Sequence, residues 1–234
     1  MQSSSWYLLD FSRNEPAFNM AMDELLLHAM PVLRTPVLRF YGWTQPAASF
    51  GYFQNYAEIE RATLLRPLIR RPTGGGLVPH DADWTYSLVF PASDKWYSLV
   101  ATESYRKAHK WIQSAFAQLD VPTHLASDCH RAVPGQCFFG YEKLDLLWHG
   151  KKIAGAAQRR TREGLLIQGS VQPPPIGLER LAWQRAIMEV AEAGNSIRFE
   201  AIPDQERLKQ QATSLAALKY AVPAYNQKRS WNNR

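Results

Sequence analysis

Apolar positions along the chain follow two periods, which predict a mixture of helices and strands. Spacings of three and four residues indicate helices, whereas alternation or short apolar runs bounded by Gly or Pro indicate strands. The helical period occurs at residues 17–30, 57–65, 102–118, 178–193 and 204–220. The stretches typical of strands are 36–41, 47–52, 68–72, 84–90, 141–148, 151–158 and 165–171.

The order of these elements predicts an α+β fold. Some strands follow each other as hairpins, as around His149 and Gly150, and helices separate the groups of strands. The strict alternation of strand and helix that a Rossmann fold requires is missing. We therefore expect mixed or antiparallel β-sheets flanked by helices, within one large domain.

Composition and charge narrow the class of protein. Hydrophobic residues make up 46% of the chain and charged residues 21%, which is typical of a soluble globular protein. No apolar run approaches the about 18 residues of a membrane helix, and the first residues lack a secretory signal pattern, so we expect a cytoplasmic protein without a membrane partner. The net charge of +6 suits an anionic partner. Since no nucleic-acid-binding signature accompanies it, we do not expect that partner to be nucleic acid.

A run of three glycines, residues 74–76, is the most unusual local sequence, and it follows Arg70 and Arg71. Glycines lose much conformational entropy on folding, so a run needs a local reason, such as a ligand lying against the main chain. Exposed N–H groups there would bind carbonyl or phosphate oxygens, and the arginines would add charge. A simple turn between two strands explains the run equally well.

Cys137 and Lys152 form a second candidate site. A nearby ammonium favours the thiolate, which is the nucleophile that can accept an acyl group. A turn and a hairpin can bring these residues together across the segment that separates them. From chemistry alone, a buried inert cysteine and a surface lysine are the more common arrangement. The spacing of Cys129, Cys137 and the nearby histidines fits no common zinc site, so we expect no metal.

Two further segments carry weaker signals. Gly155, Ala156 and Ala157 would let a ligand approach the backbone of a strand closely, or would let the strand pack under a bulky neighbour. His80 and Asp81 are adjacent, so on an extended chain they point to opposite faces. We therefore interpret them as groups that order the loop.

Taken together and in order, several segments resemble the motifs of lipoate-protein ligases and their acyltransferase relatives, in the biotin/lipoate protein ligase superfamily. These segments are residues 19–24, 39–43, 49–55, 70–76 with His80 and Asp81, 85–87, 152–158 and 169–170. Cys137-Phe138 stands where ligases generally carry Asn-Asp, and this resembles the cysteine-dependent octanoyltransferase branch related to lipoate-protein ligase A. Gln168 departs from the family pattern, which often has histidine there.

The resemblance implies a catalytic core of the biotin/lipoate protein ligase type over residues 1–175. Helices over 176–225 would pack on this core in the same domain, and 226–234 would form a basic tail. Cys137 is implied as the nucleophile, with Lys152 lowering its pKa or positioning the acyl carbonyl. The implied substrate-binding residues are Arg70, Arg71, Thr73, Gly74, Gly75, Gly76, His80, Tyr86, Gly155, Ala156, Ala157, Gly169 and Ser170.

The implied activity is octanoyl transfer in lipoate biosynthesis. The donor would be acyl carrier protein, and the acceptor would be a lysine of a lipoyl domain or of glycine-cleavage H protein, with no cofactor or metal. Two alternatives stay open. An ATP-dependent lipoate-protein ligase would need ATP and Mg²⁺. The second alternative is a non-catalytic homologue that binds acyl groups or carrier proteins. It is suggested by Gln168, which cannot act as an acid or base, and by Pro79, which stands where the family more commonly has an aromatic or aliphatic residue.

Overall fold

A computed structural model of the chain describes residues 4–131 and 140–230. The helices in these ranges are α1 Pro16–Leu33, α2 Tyr56–Ala62, α3 Lys95–Ser98, α4 Ala101–Gln118, α5 Arg180–Asn195, α6 Gln205–Leu215, a π-helical turn Ala216–Tyr220, and α7 Pro223–Lys228. None of these helices is both long and apolar enough to cross a membrane.

The strands within the same ranges form one large sheet and two small ones. They are β1 Ser4–Asn14, β2 Val37–Trp43, β3 Ala48–Phe50, β4 Leu68–Arg70, β5 Val78–Pro79, β6 Trp84–Pro91, β7 His124–Leu125, β8 His130–Arg131, β9 Gly140–Tyr141, β10 Leu146–Trp148, β11 Lys151–Thr161, β12 Gly164–Val171 and β13 Ile197–Ala201. The large sheet has the order β13-β1-β2-β6-β12-β11-β10-β7. The small sheets are β4-β3-β5 and β8-β9.

The large sheet is mixed, which confirms the predicted fold class. β1 pairs in parallel with both β2 and β13, whereas the strands from β2 through β6, β12, β11 and β10 to β7 pair antiparallel. The hairpin predicted around His149 and Gly150 joins β10 to β11. Among the described strands, only the β10–β11 and β11–β12 hairpins are local, and the other pairings of the sheet join strands that are distant in the chain.

Helices cover both faces of the large sheet. Alternate residues of a strand point to opposite faces, so Leu88 and Val89 of β6 belong to two different apolar clusters. Leu88 packs in the cluster that α4 and α5 contribute to, and Val89 packs in the cluster formed with α1 and α6. On the α1 side of the sheet, Thr85 and Ser170 line a pocket together with Met20 of α1 and with Gly75 of the glycine loop, residues 74–76.

The structure differs from the predictions at the end of α1, in two additional strands and near the C-terminus. Helix α1 continues past Pro31 to Leu33, because a proline in the last turn removes only one backbone hydrogen bond. The strands β1 and β13 were not among the predicted elements. Asn226 and the residues up to Lys228, expected in a basic tail, belong to α7, and Asn226 is buried. Residues 231–234 lie outside the described ranges.

Candidate active site

A pocket lies where the glycine loop faces strands β6, β12 and β11. Register aligns Thr85, Ser170 and Gly155 directly across these three strands, so one row of residues forms the pocket wall. The sequence-predicted residues that line it are Arg71, Gly75, His80, Lys152, Gly155, Ala156, Ala157, Gly169 and Ser170. The pocket also has lining residues that were not predicted as site residues: Met20, Tyr41, Trp43, Ser49, Val78, Thr85 and Gln168.

Arg71 holds the glycine loop in shape. Its Nη2 donates to the carbonyl oxygens of Gly74 and Gly76, each at 2.8 Å, and its Nη1 donates to Ser49 Oγ at 2.9 Å. Gly75 has a φ of +84°, a conformation that strongly favours glycine. The guanidinium of Arg71 therefore fixes the conformation of the glycine loop.

A buried chain of polar groups continues from Ser49 to His80 and Asp83. Ser49 Oγ lies 2.6 Å from His80 Nε2, and His80 Nδ1 lies 2.8 Å from Asp83 Oδ2. Because a carboxylate only accepts, Nδ1 donates to Asp83. Trp43 stacks on the imidazole with ring centroids 3.9 Å apart. His80 is thus ordered by Asp83 rather than by Asp81, which is exposed.

Gln168 ties the glycine loop to helix α1. Thr73 Oγ1 donates to Gln168 Oε1 at 2.6 Å, and Gln168 Nε2 donates to Asp23 Oδ2 at 2.7 Å. Asp23 also accepts from Arg39 Nη1 at 2.6 Å and from the Tyr41 hydroxyl at 3.0 Å. Burial, reinforced by the charge of Asp23, raises the pKa of Tyr41 well above its ordinary value, so Tyr41 remains a donor.

Lys152 presents a buried ammonium to the pocket. Its Nζ lies 2.7 Å from Asp145 Oδ2, and both side chains are less than a tenth exposed. A Cβ at Gly155 would lie 2.6 Å from Lys152 Cε and 2.7 Å from Nζ. The absence of a side chain at Gly155 therefore makes room for the lysine.

Arg70, predicted to bind substrate, points away from the pocket. Its five side-chain hydrogen bonds go to the carbonyl oxygens of Tyr52, Gln54, Asn226 and Gln227. A guanidinium has five N–H donors, so these bonds engage them all. Burial lowers the pKa of Arg70. The geometry assigns Arg70 to anchoring α7 rather than to contacting a ligand.

Tyr86, also predicted to bind substrate, lies on the opposite face of the sheet from Gln168 and Ser170. Its ring passes under Gly169, where a Cβ would lie 2.1 Å from Tyr86 Cζ. Burial raises its pKa, with Asp145 as a second cause. Tyr86 therefore shapes the wall from behind. Thr73, Gly74 and Gly76 support the loop through the contacts above without lining the pocket.

Cys137 lies outside the described residues. The strands β8 and β9 flank the segment that contains it, with Arg131 paired to Gly140. Elsewhere in the described ranges, no three His, Cys, Asp or Glu side chains group as metal ligands would.

Most of the unpredicted lining residues had a signal in the sequence. Met20, Tyr41, Trp43, Ser49 and Thr85 all fall within the segments that resemble the family motifs. Asp83 and Asp145 fall outside those segments. Their roles depend on backbone geometry that the local sequence does not reveal.

The family model described as lipoyl protein ligase A/B catalytic domain matches residues 15–172. This chain belongs to that family, as the ordered motifs predicted. The octanoyltransferase LipM of Bacillus subtilis is 33% identical over 186 residues, and that of Geobacillus kaustophilus is 35% identical over 185 residues. Each alignment covers 73% of this chain and 66% of the relative, so the chain spans just under two thirds of the length of these relatives.

Solved structures agree on the fold. A lipoate-protein ligase A bound with ATP superposes with a TM-score of 0.76 at 19% identity, covering 97% of this chain and 99% of that one. A bi-partite lipoate protein ligase from Thermoplasma acidophilum superposes with a TM-score of 0.70 at 19% identity, covering 97% of both chains.

Proposed function

We propose that this protein is an octanoyltransferase of lipoate biosynthesis, which moves an octanoyl group from acyl carrier protein to a lysine of a lipoyl domain or H protein. The observation that carries the proposal is the similarity to proteins named octanoyltransferase, at 33% and 35% identity over 73% of the chain. In this proposal Cys137 forms the acyl thioester and Lys152 assists it.

The pocket has properties that suit an acyl group. Apolar groups of Met20, Trp43 and Val78 line it, and small-molecule sites are lined mostly by such groups around a few polar ones. Lys152 supplies a positive charge at the wall beside this apolar space. An acyl chain with a reactive carbonyl at one end needs this combination.

Chain connectivity is compatible with a thiol near Lys152. Two residues lie between Cys137 and Gly140, and the three Cα–Cα steps of that connection span at most about 11 Å. The strand Gly140–Tyr141 lies against β11, the strand of Lys152. The proposal requires Cys137 to approach Lys152 from this side.

The proposed reaction has two steps and needs no external energy source. The Cys137 thiolate attacks the carbonyl of the carrier-protein thioester, the bond to the carrier sulfur breaks, and an acyl-enzyme forms. The acceptor amine then attacks that acyl carbonyl, an amide forms, and the Cys137 thiol is released. Because a thioester is already activated, ATP and Mg²⁺ are not required. The net charge of +6 would favour encounter with acidic protein partners.

Intact-mass spectrometry after incubation with octanoyl carrier protein, without ATP, tests the proposal. We expect one octanoyl group on Cys137, which then moves to a lipoyl domain added in a second step. Cys137→Ser should abolish both events, whereas Cys129→Ser, which removes an exposed thiol, should preserve them.

Three results would contradict the proposal. Full transfer by Cys137→Ser would exclude the thioester route. Lipoylation that depends on lipoate and ATP, with pyrophosphate release, would instead identify a ligase, and tight binding of carrier protein without turnover would identify a non-catalytic homologue.

A further inference from the structure

Three local features bring Lys152 and Asp145 together, and the first two are departures from regular structure. The first is a shift in the register of β10 and β11. Leu146 pairs with Ala154, whereas Leu147 pairs with Lys152, so Ile153 is an extra residue in β11. In a regular strand, residues three apart point to opposite faces. This bulge places the Lys152 side chain over Gly155 on the same face, and bulges of this kind re-aim side chains.

The second departure lies immediately before Asp145. Leu144 has a φ of +77°, a left-handed conformation that is unfavourable for a branched apolar residue. Surrounding hydrogen bonds hold it there: Leu144 N donates to the Ala126 carbonyl at 2.9 Å, and Asp145 N donates to the Glu142 carbonyl at 3.0 Å. Such strain persists only where the surroundings fix it, and it concentrates at functional sites.

The third feature is a buried histidine that forms a hydrogen bond with the same turn. His109 Nδ1 donates to the Leu144 carbonyl at 2.5 Å, while Nε2 has no hydrogen-bond partner among the described residues. Glu142 N also donates to Asp145 Oδ2 at 2.7 Å. The carboxylate of Asp145 is therefore fixed through its own oxygen and through the backbone on either side of it.

From these contacts we propose that Asp145 is a positioning residue of the site, and that His109 fixes Asp145 through Leu144. A lysine side chain has a flexible stem, and a buried ammonium is stable only beside an opposite charge. Asp145 supplies that charge and holds Nζ at the pocket wall. The importance of this position for transfer rests on the proposed function, whereas the restraint on Lys152 does not.

Competitive labelling with acetic anhydride measures the restraint directly, independently of any transfer activity. Lys151 is exposed and adjacent, so it serves as the internal reference for Lys152. In the unaltered protein Lys152 should react much more slowly than Lys151. Asp145→Asn should raise the labelling of Lys152 relative to Lys151 by roughly tenfold, because removing an opposite charge at this distance frees both the proton and the side chain.

Two further variants separate restraint from general damage. Glu24→Gln is the matched control, because Glu24 forms a similarly buried pair with Lys219, with Oε2 and Nζ 2.6 Å apart, away from the pocket lining. It should leave the Lys152 to Lys151 ratio unchanged. Gly155→Ala should raise that ratio without unfolding the protein, since its methyl meets the far end of the flexible Lys152 side chain and lies 3.0 Å from Asp145 Oδ1, so that it pushes the pair apart. If Asp145→Asn fails to fold, Gly155→Ala still gives the result.

Kinetics then test the role in transfer. We expect kcat for octanoyl transfer to fall by roughly tenfold to a hundredfold in Asp145→Asn, with KM for the donor little changed, since a misplaced group slows chemistry more than binding. An unchanged labelling ratio in both pocket variants would overturn the restraint on Lys152. A raised ratio with unchanged kcat would overturn the role in transfer and leave the proposed function intact. A protein that transfers no octanoyl refutes the proposed function, and the labelling then decides the restraint alone.

Discussion

At the scale of single residues, missing Cβ atoms shape the pocket as much as functional groups do. The glycine loop lies so close to the end of β3 that a Cβ on Gly51 would be 1.9 Å from the carbonyl oxygen of Gly75. At Gly74, by contrast, a Cβ would meet no described atom within 4 Å. Packing therefore requires a glycine at position 51 but not at position 74, and the sequence alone does not reveal this difference.

Gly51→Ala should therefore destabilise the protein, whereas Gly74→Ala should not. The added methyl at position 51 presses on backbone that cannot rotate away, and overpacking of this kind costs about 3 kcal/mol. Gly74→Ala should change the free energy of unfolding by no more than about 0.5 kcal/mol. Urea unfolding of both variants checks the pair, and equal stabilities would show that the loop is not packed on Gly51 in this way.

Gln168 illustrates a residue whose type matters through hydrogen bonding. It accepts from Thr73 and donates to Asp23, and a neutral histidine, with one donor and one acceptor nitrogen, can do both. Gln168→His should thus keep most of the stability. Gln168→Leu leaves buried polar groups without these partners and should cost about 2 kcal/mol. Thermal unfolding distinguishes the two, and a Leu variant as stable as the His variant would contradict the bridging role.

At the scale of elements, locally encoded structure was predictable and long-range pairing was not. The hairpin of β10 and β11 and the amphipathic helix α4 follow from short-range periodicity. Strand β1 was missed because its parallel partners come from elsewhere in the chain, with Ser4 opposite Ile197 and Tyr7 opposite Val37. The bulge that aims Lys152 was missed for a similar reason, since it exists only in the pairing of two strands.

Arg70 gives a prediction for one element, α7. Its guanidinium donates to carbonyl oxygens of that helix, and Asn226 Oδ1 accepts from the Arg70 backbone N–H at 2.8 Å. Arg70→Met should destabilise the protein by about 3 kcal/mol, because charge-assisted bonds to buried carbonyls are lost. Hydrogen exchange of residues 223–228 should accelerate. The control Arg66→Met removes a half-exposed arginine and should leave exchange there unchanged. If exchange in Arg70→Met were as slow as in the unaltered protein, other contacts would be holding α7 in place.

At the scale of the whole molecule, the sheet assembles the site from segments spread along the chain. Residues from Met20 to Ser170 meet in one pocket because β6, β12 and β11 are neighbours in register. The ordered motifs predicted nine of the lining residues, yet they also included Arg70 and Tyr86, which the packing turns away from the pocket. A match to a motif indicates that a residue is needed. Only the fold shows whether that residue lines the pocket or supports it from behind.

The stability of the whole molecule should depend on pH through His109. Burial lowers the pKa of His109 below its ordinary value of 6.5, although Asp145 opposes this. The unfolded chain therefore binds a proton more readily than the folded protein. The stability that the neutral ring contributes is complete above pH 6.5 and is lost as the pH falls from there towards the lower folded pKa. Between pH 7.5 and 5.5 the protein should therefore lose stability through this group.

Replacing the imidazole with a group that does not titrate isolates this contribution. In His109→Gln, the amide can still donate to the Leu144 carbonyl, but no proton is taken up on unfolding. Urea unfolding of both proteins at pH 7.5 and 5.5 should show a smaller loss of stability for the variant. Contributions that are common to both proteins cancel in the difference. If the two proteins lost the same stability on acidification, His109 would not be held neutral in the folded state.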